Sequence, residues 1–309
     1  MGNNHCIRNC MVLMLVLVML MSAAIPAGAT TVSVQKDTGL TKDAAPEESV
    51  PDGEPVWAEN LLKVKPLDGM TKHKELIVSV TFLDTLEDMP RRAWHLGQVG
   101  ARDKVRGWIK WDNGLGHAYI AAEGGVNGRD ACAELFEECE NLGKVHFNGA
   151  FHTDETESMV NMFYKCYALE KVDLETLNTS SVTSMYQMFR NCSSLETLDL
   201  SKMDTSKVET MYCMFSTCRS LKELDLRSFN TARVTNMGYM FSACSKLEKV
   251  DVSSFDTAEV YNMEGMFRWC GELEEYDFAN WDVSGVEKYS GFMNAGMKIN
   301  GQQWENFFA

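Results

Sequence analysis

Six cysteines fall at Cys139, Cys166, Cys192, Cys218, Cys244 and Cys270, in steps of 27, 26, 26, 26 and 26 residues. Phe136, Phe163, Phe189, Phe215, Phe241 and Phe267 keep the same beat, and so do Leu142, Leu169, Leu195, Leu221, Leu247 and Leu273. A fixed period in the twenties means supersecondary units that cannot bury their apolar faces alone and stack to share one core. The single extra residue falls near Asn148–Ala150, between the first two coils.

Within one period, Val208, Met211, Met214 and Phe215 lie at i, i+3, i+6 and i+7, the stripe of an amphipathic helix. "NTSS" (178–181), "DTSK" (204–207), "NTAR" (230–233) and "DTAE" (256–259) precede the stripe and offer helix N-caps. In the second half Leu224 and Leu226 alternate with Glu223, Asp225 and Arg227, which predicts a short strand with one buried face. The expected fold class is an α/β solenoid of about six coils, each a short parallel strand plus a helix. Residues 129–294 form the array, and 295–309 cover its far end with Trp304, Phe307 and Phe308. Val286, Tyr289 and Phe292 carry the stripe into the last coil.

Residues 56–128 read as a small β-rich domain that caps the first coil. "LIVSVTF" (76–82) is strand-like, and "RGWIKWDNGLGHAYIAA" (106–122) reads as a hairpin turning at Asp112-Asn113-Gly114. Residues 30–55, with Pro46, Pro51 and Pro55 among charged residues, read as a flexible leader. Arg8, the short apolar run "MVLMLVLVML" (11–20) and "AGA" (27–29) make residues 1–29 a cleavable export signal rather than an anchor. Its removal takes away Arg8 and no acid, so the net charge of −15 becomes −16. Such acidity excludes nucleic acid, whose phosphates require a basic surface.

The cysteines pose the sharpest chemical question. Eight survive signal cleavage, and an even number in an exported chain suggests disulfides. The in-phase spacing points instead to a buried ladder in which each cysteine acts as a small apolar residue. A metal needs several ligands converging at short spacing. Adjacent rungs come within Cα reach of a disulfide, but their side chains run parallel, a poor fit to the bridge. Cys132 aligns with Met159 and Met185 and is expected inside, whereas Cys213 aligns with Gln187, Tyr239 and Gly265 and is expected outside. His73, His95, His117, His146 and His152 show no ligand or triad spacing, and "EGGVNGRD" (123–130) fits no phosphate-binding pattern. Trp94, Trp108 and Trp111 near His95 and His117 admit two readings, a carbohydrate-stacking platform or the aromatic core of the β-rich domain.

Asp173, Asp199, Asp225, Asp251 and Asp277 recur at the outward strand position. Like charges ~5 Å apart in water repel by roughly 1 kcal/mol per pair, and Lys171, Lys249 and Arg227 stand near enough to absorb that. The stripe reads either as a solvated face, with each Asp bonding local Ser or backbone, or as a binding surface for a basic partner. It lacks the six or more converging oxygens of a hard-cation site.

"SLETLDLSKMDTSKVETMYCMFSTCRSLKELDLRSFNTARVTNMGYMFSACSKL" (194–247) closely resembles the repeats of BspA-like leucine-rich-repeat surface proteins, exported bacterial proteins with relatives in some parasitic protists. The resemblance spans about residues 130–294, and "LIVSVTFLDTLEDMP…AWHLG…YIAAEGGVNGRDACAELF" resembles the family's lead-in segment. It implies a right-handed leucine-rich-repeat-type solenoid, secreted or on the cell surface, that adheres to host matrix, host receptors or other cells. It implies no enzymatic activity and carries over no catalytic, cofactor-binding or metal-ligating residue. No LPxTG-type sorting motif or apolar tail follows, which leaves release, non-covalent retention or a fragment open.

The function expected from the sequence is macromolecular binding, with a protein or cell-surface macromolecule of basic character as partner and no membrane span after signal cleavage. The expected contact residues are Thr197, Asp199, Glu223, Asp225, Lys249 and Asp251, side by side on the outward strand face. The alternative is a carbohydrate-binding or enzymatic module in residues 56–128 with the repeats as a spacer. A third reading is a self-assembling surface-layer protein.

Overall fold

Asn113 and Gly114 take φ of +48° and +83°, the two left-handed residues that a two-residue hairpin turn demands. They join strands Arg106–Asp112 and Leu115–Ala121 of a computed structural model that describes residues 56–57, 76–91, 93–95, 105–128, 132–274, 278–294, 298–299 and 302–308. The expected signal and leader, residues 1–55, lie outside the described residues, as does Asp277. In chain order the strands are β1 Val56–Trp57, β2 Ile77–Leu83, β3 Trp94–His95, β4 Arg106–Asp112, β5 Leu115–Ala121, β6 Val126–Asn127, β7 Lys144–His146, β8 Phe151–His152, β9 Lys171–Val172, β10 Glu223–Asp225, β11 Lys249–Asp251, β12 Lys298–Ile299 and β13 Gln302–Gln303.

The hairpin is antiparallel, but β2 pairs in parallel with β5 on one side and with β7, a strand of the first coil, on the other. One six-stranded sheet, ordered β3-β4-β5-β2-β7-β9, therefore runs from the β-rich segment into the repeats. Ile77, Val80 and Phe82 of β2 are buried, and Phe82 stacks on Phe147 at 5.4 Å and meets Phe136 edge-on at 6.5 Å. The first coil is thus closed by side chains of a neighbouring strand within the same sheet.

Successive repeats bridge to one another in parallel, from Ser158 to Lys288, but they are built without helices. The expected α/β fold class, with its leucine-rich-repeat-type helix in every coil, is corrected: the described residues contain no α-helix, and the helical turn at Trp304–Phe308 is of the 3-10 type. The physical reason lies in the backbone. Gln187, Cys213, Tyr239, Gly265 and Gly291 all have φ between +55° and +62°, and four residues further on Asn191, Thr217, Ala243 and Trp269 have φ between +61° and +67°. Two left-handed residues per coil break any α-helix. The segment runs instead as tandem turns. The Met188 N–H donates to the Met185 carbonyl, Arg190 to Gln187 and Cys192 to Phe189, each three residues back. The N–H groups between them donate to the next coil: Met185 to Thr210, Gln187 to Tyr212, Phe189 to Met214 and Asn191 to Ser216, all at 2.8–3.1 Å. A three-residue turn returns a side chain inward at nearly the spacing of a helix face, so the two share one apolar pattern.

The supposed helix caps are corrected in the same way. Asn178, Asp204, Asn230, Asp256 and Asp282 each accept, through Oδ1, the N–H two residues on, closing an Asx turn. The threonines beside them point inward. Thr153, Thr179, Thr205, Thr231 and Thr257 are at most 2% exposed, and each donates its hydroxyl to a carbonyl of the following coil at 2.8–2.9 Å.

On the opposite side β10 and β11 pair in parallel, Leu224 against Val250. Leu198, one coil earlier, is only half-buried, and no strand is assigned between β9 and β10. Inside, the phenylalanines stack ring on ring from Phe136 to Phe267 at 5.1–5.8 Å, and Met159, Met185, Met211, Met237 and Met263 are fully buried beside them. At the far end Phe292 meets Phe308 at 5.0 Å and Trp304 at 6.3 Å, while Phe278 meets Phe307 at 6.0 Å.

The eight described cysteines are buried thiols outside any disulfide. Five ladder thiols do more than fill space. Cys166, Cys192, Cys218, Cys244 and Cys270 donate S–H to the carbonyls of Phe136, Phe163, Phe189, Phe215 and Phe241 in the preceding coil at 3.0–3.2 Å. Cys213, expected outside, is 4% exposed, and its thiol bonds the Tyr212 side chain, whose ring stacks on Tyr186. Burial pushes the Cys218 thiol up to about 12 and Cys213 up to about 11. Thiolate is the reactive form, so the folded chain should resist alkylation at pH 8, with all eight thiols labelled only after unfolding. Cys213, at the margin of the core, is expected to react first among them. Mass spectrometry after iodoacetamide treatment reads this directly, and rapid native labelling of Cys192 or Cys218 would refute it.

Candidate binding face

Glu223 lies across from Lys249 and Asp225 across from Asp251 in the parallel register of β10 and β11. Leu224 and Val250, between them, point into the core, so the acids and the lysine must project outward. The first pairing joins opposite charges; the second sets two carboxylates side by side at about the 4.8 Å strand spacing. Arg227 resolves that repulsion. Its Nε and Nη2 hold both oxygens of Asp225, and Nε reaches Asp251 Oδ2 at 3.6 Å. The arginine hydrogen bonds hold the Asp225 carboxyl down at about 2, so it stays ionised until the pH falls through that value. The Ser201 backbone N–H lowers Asp199 in the same sense.

Glu223, Leu224, Asp225, Arg227, Lys249 and Asp251 line a shallow depression of about 330 Å³. Four of the six residues expected from the sequence, Glu223, Asp225, Lys249 and Asp251, therefore come together. Thr197 and Asp199 are exposed one coil earlier and lie outside the depression. Each aspartate also turns one oxygen back on its own loop: Asp199 accepts the Ser201 N–H at 2.9 Å, Asp225 that of Arg227 at 3.0 Å and Asp251 that of Ser253 at 3.1 Å. Asp173 differs, accepting the Phe147 N–H of the preceding coil at 2.6 Å. The stripe is thus half local scaffold and half outward charge. Arg227 stood in the sequence as one of several nearby cations; its two-carboxylate reach depends on a parallel register that a single coil does not reveal.

The competing surface, the tyrosine side, is built differently. Tyr186 and Tyr212 stack at 5.4 Å and 10°, and Tyr239 meets Tyr212 edge-on at 5.8 Å. Tyr239 donates its hydroxyl to Glu264, and Tyr186 accepts from Gln187 Nε2. The Tyr186 and Tyr212 ring faces thus cover each other.

In the β-rich segment Trp108 is 2% exposed and stacks on Tyr119 at 5.5 Å, whereas Trp111 is exposed three residues on. Trp108 and Trp111 thus share no stacking platform, and the Trp94 side chain lies outside the described residues. His117 bonds Ser79 Oγ at 2.8 Å, His152 bonds the Gly124 carbonyl at 2.8 Å, and His146 lies 3.8 Å from Asp173. Among the described residues no three His, Cys, Asp or Glu side chains converge as a metal site requires, and no helix is long and apolar enough to cross a membrane.

A family model described as "Mycoplasma protein of unknown function, DUF285" matches residues 130–224 and again 197–307, together more than half of the chain. The family is not the BspA-like leucine-rich-repeat group expected from the repeats, and no leucine-rich-repeat family matches. The Met-Phe, Cys and "LDL" columns behind that resemblance are core positions of a 26-residue coil, and here the coil forms without the helix the resemblance implied. No curated protein and no solved structure matches the chain.

Proposed function

The chain belongs to the DUF285 family, and we propose that it is an exported, non-catalytic binding protein that holds a basic macromolecule on its outer strand face. The observation that carries this reading is the depression between the β10 and β11 coils, where Glu223, Asp225 and Asp251 project beside only two cations, Arg227 and Lys249. The chain's net charge of −15 has the same sign as that excess, and complementary charge steers association and sets its salt dependence. The partner is a protein or cell-surface polymer with clustered lysine or arginine. Export rests on the signal pattern of residues 1–29.

Surface plasmon resonance of the mature chain over immobilised polylysine tests the reading. Asn at Asp199, Asp225 and Asp251 together should weaken binding by about tenfold at low salt, with a smaller difference at physiological salt. Ser at Tyr186, Tyr212 and Tyr239 together should leave it unchanged. The reverse pattern would move the site to the tyrosine side, and indifference to both sets would refute the strand-face reading.

A further inference from the structure

In every coil but the last, at least three alternate N–H groups on the turn side donate to the coil that follows. Met211, Cys213 and Phe215 donate to the carbonyls of Asn236, Gly238 and Met240 at 2.9–3.0 Å, and Met263, Gly265 and Phe267 donate to Lys288, Ser290 and Phe292 at 2.7–3.0 Å. Tyr289, Gly291 and Met293 hold the same positions one period later. Their N–H groups find no acceptor among the described residues. At Val286 and Tyr289 the side chains report the same opening, while Phe292, packed against the terminal aromatics Trp304 and Phe308, and Met293 stay buried. Met185, Met211, Met237 and Met263 are 0% exposed, and Tyr289, next in that column, is 38% exposed. Val182, Val208 and Val234 are fully buried, and Val286, which ends theirs, is only half-buried.

We infer that residues 286–293 form a docking edge for a further coil of the same 26-residue type, carried by another polypeptide. The polarity of the edge selects that occupant. Its carbonyls at Lys288, Ser290 and Phe292 already face backward and are bonded, so the forward edge offers donors alone. Two such edges cannot pair with each other, because donors would meet donors; this excludes a symmetric tail-to-tail contact between two copies. The complement is a row of carbonyls at alternate positions, which a coil of this type presents on its backward side, as Asn236, Gly238 and Met240 do. The added rung would continue a ladder of parallel bridges that already runs Ser158, Ser184, Thr210, Asn236, Asn262, Lys288. Phe308 now stands in for it. Its ring stacks on Tyr289 at 4.7 Å and 3°, where the next side chain of the column would lie, and it is itself only half-buried. The incoming coil displaces that ring.

The test uses the full chain and a synthetic peptide of residues 234–244, "VTNMGYMFSAC", which carries the matching carbonyls. A free peptide loses conformational freedom on docking, so affinity in roughly the millimolar range is expected. Amide exchange followed by NMR should slow by about tenfold at Tyr289, Gly291 and Met293 near saturation, and a scrambled peptide should leave it unchanged. Phe308→Ala should raise the affinity severalfold, since no ring then has to be displaced. Unchanged exchange at all three amides, or equal protection by the scrambled peptide, would overturn the inference. Protection that grows with protein concentration and ignores the peptide would also overturn it, in favour of a second copy as occupant.

Discussion

Phe215→Ala is expected to destabilise the chain by about 3–5 kcal/mol, as truncation of a fully buried aromatic does. Phe215 is 0% exposed and sits between Phe189 at 5.8 Å and Phe241 at 5.7 Å, both rings within 8° of parallel. Removing it leaves a void in the middle of the ring column. The void cannot close easily, because interlocking backbone bonds fix the coils on both sides: Phe189 to Met214 and Phe215 to Met240, each at 2.9 Å. Each coil contacts only its neighbours, so the loss falls on two interfaces at once. Phe215→Leu, which keeps most of the volume, should recover much of the difference. Urea denaturation of the two variants measures it. A loss below about 1 kcal/mol for Phe215→Ala would mean that the column is not a continuous core. Splitting of the transition into two steps would instead show the array parting at that coil.

Phe215 also marks what could be read from the sequence. Its column, and the Met, Cys and Leu columns beside it, repeat because every coil has the same interior, so period and burial were legible before any backbone was known. The path of the backbone was not. An apolar residue every third or fourth position suits a helix face and a run of three-residue turns alike. The discriminating signal would have been left-handed residues, yet these positions hold Gln187, Asn191, Cys213, Thr217, Tyr239 and Ala243, and only Gly265 and Gly291 bear the usual mark. Cys213 differs from expectation for a related reason: in a helix its position would face outward, whereas in a turn it is buried against the Tyr212 side chain. The candidate site was legible to the same degree. Alternation put Glu223, Asp225, Lys249 and Asp251 on one face, and parallel pairing brought them together. The reach of Arg227 to both aspartates needed the register of two coils.

Thr205→Val is expected to cost about 2–3 kcal/mol, although it removes no volume from the core. The Thr205 hydroxyl donates to the Asn230 carbonyl at 2.9 Å and accepts the Asn230 N–H at 2.8 Å, so one oxygen serves both backbone polar groups of one residue in the next coil. Valine has the same shape and neither bond. A buried donor or acceptor left without a partner costs about 1–3 kcal/mol, and here two are orphaned together. Thr179 serves Asp204 in the same double fashion at 2.9 and 2.7 Å. Thr205→Ser separates the two contributions that a threonine makes. It keeps the oxygen and discards the methyl group, which is worth about 0.8 kcal/mol when buried. If the hydroxyl column binds successive coils, Val must be the more damaging substitution, a reversal of the order hydrophobicity alone would give. Thermal and urea unfolding of the two variants read the order directly. Ser costing more than Val would show that the methyl groups, rather than the hydroxyl bridges, hold this edge of the stack.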